Sequence, residues 1–124
     1  MKTYKKSYFQ SKSWQDILVF YDELSKQNKT FEPMTDLVNH IVENYSFGVF
    51  ALTSMFTLCL SQTNQMTLDN KVLRIDIVQD IVEFEYLEYK KIFAQDRWKK
   101  TCNVDEIIKV FDFIMLKRLK WFTN

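Results

Sequence analysis

Two runs of alternating residues, Leu73-Arg74-Ile75-Asp76-Ile77 and Val82-Glu83-Phe84-Glu85-Tyr86, stand on either side of Gln79-Asp80. Successive side chains of a strand point to opposite faces, so each run predicts one greasy face and one charged face. A tight turn at Gln79-Asp80 pairs Ile77 with Val82, Ile75 with Phe84 and Leu73 with Tyr86, all on one side. The same register sets Asp76 beside Glu83 and Arg74 beside Glu85 on the other side. A slip of one residue would drive the carboxylates into the core, so the pattern itself specifies the pairing. Gln79-Asp80 lacks the glycine that a two-residue turn prefers, but a wider loop shifted by two residues keeps the same faces.

The rest of the chain surrounds this hairpin with helical patterns. Trp14, Ile17, Leu18, Tyr21 and Leu24 recur at helical spacing behind Ser13, with Asp16 in a capping position, which predicts a helix over about 14–26. Met34, Leu37, Val38, Ile41, Val42 and Tyr45 repeat the stripe behind Pro33, a residue tolerated in a first helical turn. This second helix is expected to end near Ser46, with Gly48 as a left-handed terminator. The apolar run from Phe47 to Leu60 is too short to cross a bilayer as a helix and reads as a buried strand beginning at Val49. Gln62 to Asn70 reads as a connection, and Arg97 to Cys102 as a further strand with Trp98 and Cys102 on one side. Asn103, with Glu106 three residues later, opens a closing helix through Ile107, Ile108, Phe111, Ile114 and Met115, and Lys117, Arg118 and Lys120 offset the dipole at its end. The expected architecture is α+β over residues 1–124 as a single domain: two N-terminal helices, an antiparallel meander of about four strands, and a long C-terminal helix packed on the sheet.

Composition narrows the chemistry. With 47% hydrophobic, 16% aromatic and 27% charged residues, the chain has what a folded core requires. Seventeen basic against sixteen acidic residues give a net charge of +1, which supplies no global field to attract nucleic acid or anionic lipid. A single glycine and a single proline exclude glycine-rich phosphate loops. Two cysteines form no disulfide framework, and no apolar segment follows the lysines of MKTYKKSYFQ, so a reducing cytoplasm is the expected setting.

Each candidate site has a plainer counterpart. Glu83 and Glu85, about 6.5–7 Å apart along one strand face, match the separation of a glycosidase pair, but neighbouring positions on one open face leave no sugar-binding cleft between them. Asp76 adds a third carboxylate, yet Arg74 among the acids opposes a hard-metal site. A solvated face, or a recognition surface for a basic partner, suits this set better. His40 falls with Asp36, Asn39 and Glu43 on the polar side of its helix and is expected at the surface. A hydrolase built from His40 with Cys59 or Cys102 requires a thiol beside the imidazole, whereas both cysteines stand in apolar, β-like surroundings. Zinc lacks closely spaced ligands. Lys90, Lys91, Arg97, Lys99 and Lys100 around Phe93 and Trp98 resemble a single-strand nucleic-acid grip, but lysines commonly guard a sheet edge and Glu88 and Asp96 interrupt the patch.

Phe84-Glu85-Tyr86, then Arg97-Trp98-Lys99-Lys100-Thr101-Cys102, then a helix ending Leu119-Lys120-Trp121-Phe122, resembles small bacterial α+β proteins of the toxin-immunity type over about half the chain. That resemblance implies occlusion of a toxin by direct binding with no catalytic residue of its own, and the residues themselves lead to no expected metal or cofactor. The expectation is therefore a non-catalytic protein-binding module. It presents Arg74, Asp76, Glu83 and Glu85 to a protein partner with a basic surface, and engages neither nucleic acid nor membrane. A homo-oligomerising accessory protein is the alternative.

Overall fold

The computed structural model describes residues 8–91 and 94–123. A short strand, β1 (Phe9–Gln10), precedes helix α1 (Trp14–Gln27). The Ser13 hydroxyl accepts the Asp16 N–H at 3.1 Å and so satisfies one of the donors that a helix start leaves open. A 3₁₀ turn at Lys29–Phe31 leads into α2 (Glu32–Asn44), which carries Pro33 in its first turn. The sheet follows as β2 (Phe50–Ser54), β3 (Thr57–Ser61), β4 (Gln65–Met66), β5 (Val72–Val78), β6 (Ile81–Lys91) and β7 (Ala94–Asn103). The chain closes through a 3₁₀ turn (Val104–Glu106), α3 (Ile107–Phe113) and a π-helical segment (Ile114–Arg118).

β2, β3, β5, β6 and β7 form an antiparallel meander in that order, while β1 and β4 pair apart from it. The central hairpin has the register that side-chain alternation demands: Ile77 faces Val82, Ile75 faces Phe84, Asp76 faces Glu83 and Arg74 faces Glu85. Its turn is the tight one, Val78 pairing with Ile81 across Gln79-Asp80, and Gln79 takes the positive φ of 58° in place of a glycine. Ala51, Leu60, Leu73 and Tyr86 lie in one row, Leu58, Ile75 and Phe84 in the next, and all are buried beneath the helices. Ile17, Tyr21, Leu37, Ile41, Phe111 and Ile114 meet them from the helical layer. Each such side chain contributes roughly 1.5–3 kcal/mol by leaving water.

Several expectations are corrected here. The run from Val49 is two strands, because Ser54 pairs with Thr57 across a turn at Met55-Phe56. Met55 occupies φ 56° there, and Phe56 is exposed at the turn. The connection from Gln62 to Asn70 contains β4, which pairs with β1 through Phe9–Met66 and Gln10–Gln65. The closing helix is not one continuous α-helix, and Asn103 makes no side-chain cap there. Gly48 does not terminate α2 in the left-handed region, because no glycine has positive φ. What it provides is room: a Cβ at Gly48 would stand 2.9 Å from Cε1 of Phe122. Phe122 itself packs edge-on against Tyr45 and Phe47, which ties the end of the chain to the end of α2.

Candidate recognition surface

The outer face of the sheet is divided. At one end Leu52, Cys59, Val72 and Leu87 are covered by Met66 of β4 and by Leu68, forming a second small core. Towards the β2–β3 and β5–β6 turns no layer covers the sheet among the described residues: Arg74 and Glu85 continue the row of Leu52 and Cys59, and Asp76 and Glu83 stand in the next row. The strand pairing therefore brings together all four residues expected from the sequence.

It also adds cations from β7. Glu85 pairs with Lys99 and Leu87 with Arg97, so Arg97 and Lys99 fall on the same outer face. Nε and Nη2 of Arg97 both donate to Oε2 of Glu85, at 3.2 and 2.7 Å. Nζ of Lys99 reaches Glu83 at 3.4 Å and Glu85 at 3.6 Å. Burial works to raise the Glu85 carboxyl, but the hydrogen bond and charge of Arg97 and the charge of Lys99 outweigh it and hold the group below its ordinary range. Asp76 accepts the Thr57 hydroxyl on its other flank. Arg97 and Lys99 thus pair with Glu83 and Glu85, while Arg74 and Asp76, the cross-strand neighbours of Glu85 and Glu83, add one charge of each sign, so the face is a charge lattice of three cations and three acids. Glu83 is the accessible acid, 42% exposed against 16% for Glu85. Arg97 and Lys99 were legible in principle, since Trp98 on the inner side puts both its neighbours on the outer one.

The β2–β3 and β5–β6 turns lie at the uncovered end. Val78 and Ile81 continue the outer face one row beyond Asp76 and Glu83, and Val78 is 67% exposed. Met55, at the β2–β3 turn, is 84% exposed in a left-handed conformation that costs a side-chain-bearing residue roughly 1–2 kcal/mol. α1 pins that turn, because the Tyr21 hydroxyl donates to the Phe56 carbonyl at 3.1 Å. None of these apolar tips was marked by the sequence pattern as part of a site.

The cysteine–histidine residues are dispersed. Cys59 is buried in the outer core, where desolvation pushes its thiol up to about 11. Cys102 packs on the helical side, its thiol also raised, first by burial and then by Glu106. His40 is not the open surface residue expected. Its Nε2 meets Oδ1 of Asp112 at 2.8 Å, and the Tyr45 hydroxyl donates to the same oxygen at 2.6 Å. The Asn44 side-chain amide lies 3.2 Å from Nδ1 and donates to the His40 carbonyl at 2.9 Å. The cluster clamps α2 to α3, and among the described residues no hydrogen bond joins His40 to either thiol. Among those residues no three His, Cys, Asp or Glu side chains converge as a metal ion requires.

β7 is an edge strand, so Arg97, Lys99 and Lys100 do lie where lysine and arginine discourage edge pairing. Phe93 and the side chains of Lys90, Lys91 and Asp96 lie outside the described residues. Among the described residues no helix is long and apolar enough to cross a membrane. Comparison of the chain with protein-family models, curated proteins and solved structures found no match.

Proposed function

We infer that the chain is a non-catalytic protein-binding module of the toxin-immunity type, which docks a partner on the uncovered half of its outer sheet face. One observation carries this reading: a charge lattice continuous with exposed apolar hairpin tips, on a face whose other half is already closed by its own lid. The apolar tips supply area to exclude water, and the lattice sets orientation. Asp76 and Glu83 are the acids that meet a basic partner surface: Glu85 is only 16% exposed and takes both Arg97 and Lys99, whereas Glu83 is 42% exposed and shares Lys99 alone. Arg74 shares a row with Glu85 and holds the partner in register through an acid of its own.

The test is co-purification from the native cell with a tagged chain. Wild type and the control Lys109→Glu retain a stoichiometric partner, whereas Glu83→Lys combined with Val78→Asp releases it. Equal retention by the double variant refutes the assignment of this face. A chain that light scattering shows to be a stable homo-oligomer, with no foreign partner, establishes the accessory-protein alternative.

A further inference from the structure

A second feature lies away from that face, on the helical side of the sheet near the end of the chain. There a groove of about 650 Å³ opens between β6, β7 and the end of the π-helical segment, a volume within the range of small-ligand sites. Lys71, Lys117, Arg118 and Lys120 line it, with Glu88 as the single carboxylate. Its local charge of +3 exceeds the +1 of the whole chain, so positive charge is segregated into this groove. A helix C-terminus carries about half a negative charge and accounts for one cation, not four. Lys71 comes from the loop before β5 and is not on that helix at all.

Two further features mark the groove. Met55, Lys71, Gln79 and Lys120 are the non-glycine residues at positive φ among those described, and both lysines line this groove. Lys120 directly follows the C-cap Leu119, the usual place for a left-handed residue, so its conformation closes the helix, and that of Lys71 turns the chain into β5. The guanidinium of Arg118 is held over the Trp98 ring at 4.9 Å, and Trp98 stacks on Tyr86 at 5.8 Å, which fixes a fork-shaped donor in advance of binding. Among the described residues none of the four cations has a carboxylate within ion-pair distance, and neither Trp98 nor Trp121 spends its indole N–H on the chain. The lining is thus rich in unspent donors.

We propose that this groove binds a small molecule through a chain of two or three phosphate groups, with Arg118 forking one phosphate and Lys71, Lys117 and Lys120 neutralising the rest. A compact polyphosphate matches a net lining charge of +3, and one carboxylate does not. The base of a nucleotide contributes little, because Trp98 already has Arg118 on its ring and Tyr86 stacked against it.

Tryptophan fluorescence reads occupancy directly, since Trp98 and Trp121 line the groove. At low salt, inorganic triphosphate titrates with a micromolar dissociation constant, and adenosine and guanosine triphosphates agree with it within about threefold. Citrate binds at least tenfold more weakly. Lys117→Glu with Lys120→Glu, and separately Lys71→Glu, each weaken triphosphate binding at least tenfold with unchanged circular dichroism, while Lys109→Glu has no effect. Absence of binding at millimolar triphosphate, or equal loss in the Lys109→Glu control, overturns the proposal. So does tight binding of a single-stranded oligonucleotide with none of triphosphate, which would assign the groove to nucleic acid.

Discussion

Removal of the Arg97 guanidinium tests whether the charge lattice is a working structural element or a loose surface decoration. Glu85 is 16% exposed and Arg97 54% exposed, so the pair lies between a surface ion pair, worth about 0.2–1 kcal/mol, and a buried one, whose breakage costs about 3–5 kcal/mol. Lys99 remains 3.6 Å from Glu85 and compensates in part. Arg97→Ala is therefore expected to cost about 1–1.5 kcal/mol, nearer the surface limit. Urea unfolding at pH 7 of Arg97→Ala, Glu85→Gln and the double variant isolates the coupling. The pH dependence has a definite sign. Because the folded Glu85 carboxyl is held below its unfolded value, its contribution is complete above the unfolded value and is lost as pH falls through the folded one. In Arg97→Ala the main influence lowering that carboxyl is gone and burial remains, so the titration moves upward and acid sensitivity from this group diminishes. Carboxyl carbon NMR of Glu85 follows the shift. A coupling below about 0.3 kcal/mol, with Glu85 titrating unchanged, would refute the clasp as described.

Other perturbations address separate parts of the molecule. Ser13→Ala removes the α1 cap and is expected to destabilise by about 1 kcal/mol, measured by thermal or urea unfolding. Asp112→Ala strips the acceptor from Tyr45 and His40 and costs about 2 kcal/mol, whereas Asp112→Asn keeps an acceptor oxygen and costs less; similar losses would deny the clamp. Gly48→Ala crowds the Phe122 ring and destabilises by about 1 kcal/mol, but becomes neutral or stabilising in a Phe122→Ala background. The Cys59 thiol, raised to about 11 by burial, stays unmodified by alkylating reagent at pH 8 until urea unfolds the chain; rapid labelling of the native protein would place it elsewhere.

The faces of the central hairpin were readable residue by residue because a shift by one inverts every side chain, and the tight Gln79-Asp80 turn then selects the register among those that keep the faces. The helical stripes of α1 and α2 were equally clear. The β2–β3 turn escaped because Met55-Phe56 contains none of the glycine, asparagine or aspartate that advertises a turn, and it sits inside a mostly apolar run in which Thr53, Ser54 and Thr57 are as acceptable to a strand as to a turn. β1 and β4 are two residues each, below the length at which alternation carries information. His40 and Asp112 are 72 positions apart, so only tertiary folding could unite them. Arg74, Asp76, Glu83 and Glu85 were found together by parity, but their neutralisation by Arg97 and Lys99 depends on how β7 pairs with β6. That pairing also turns an apparent acidic patch into a balanced one.

β3 has a consequence of its own. Every residue from Thr57 to Ser61 is buried, with Leu58 and Leu60 pressed on the helical layer and Cys59 on the small lid. This strand is accordingly the axle on which the two cores turn together, and neither can loosen without disturbing it. Its amides should be among the last to exchange with deuterium, and damage delivered to the lid should travel through them into the helices opposite.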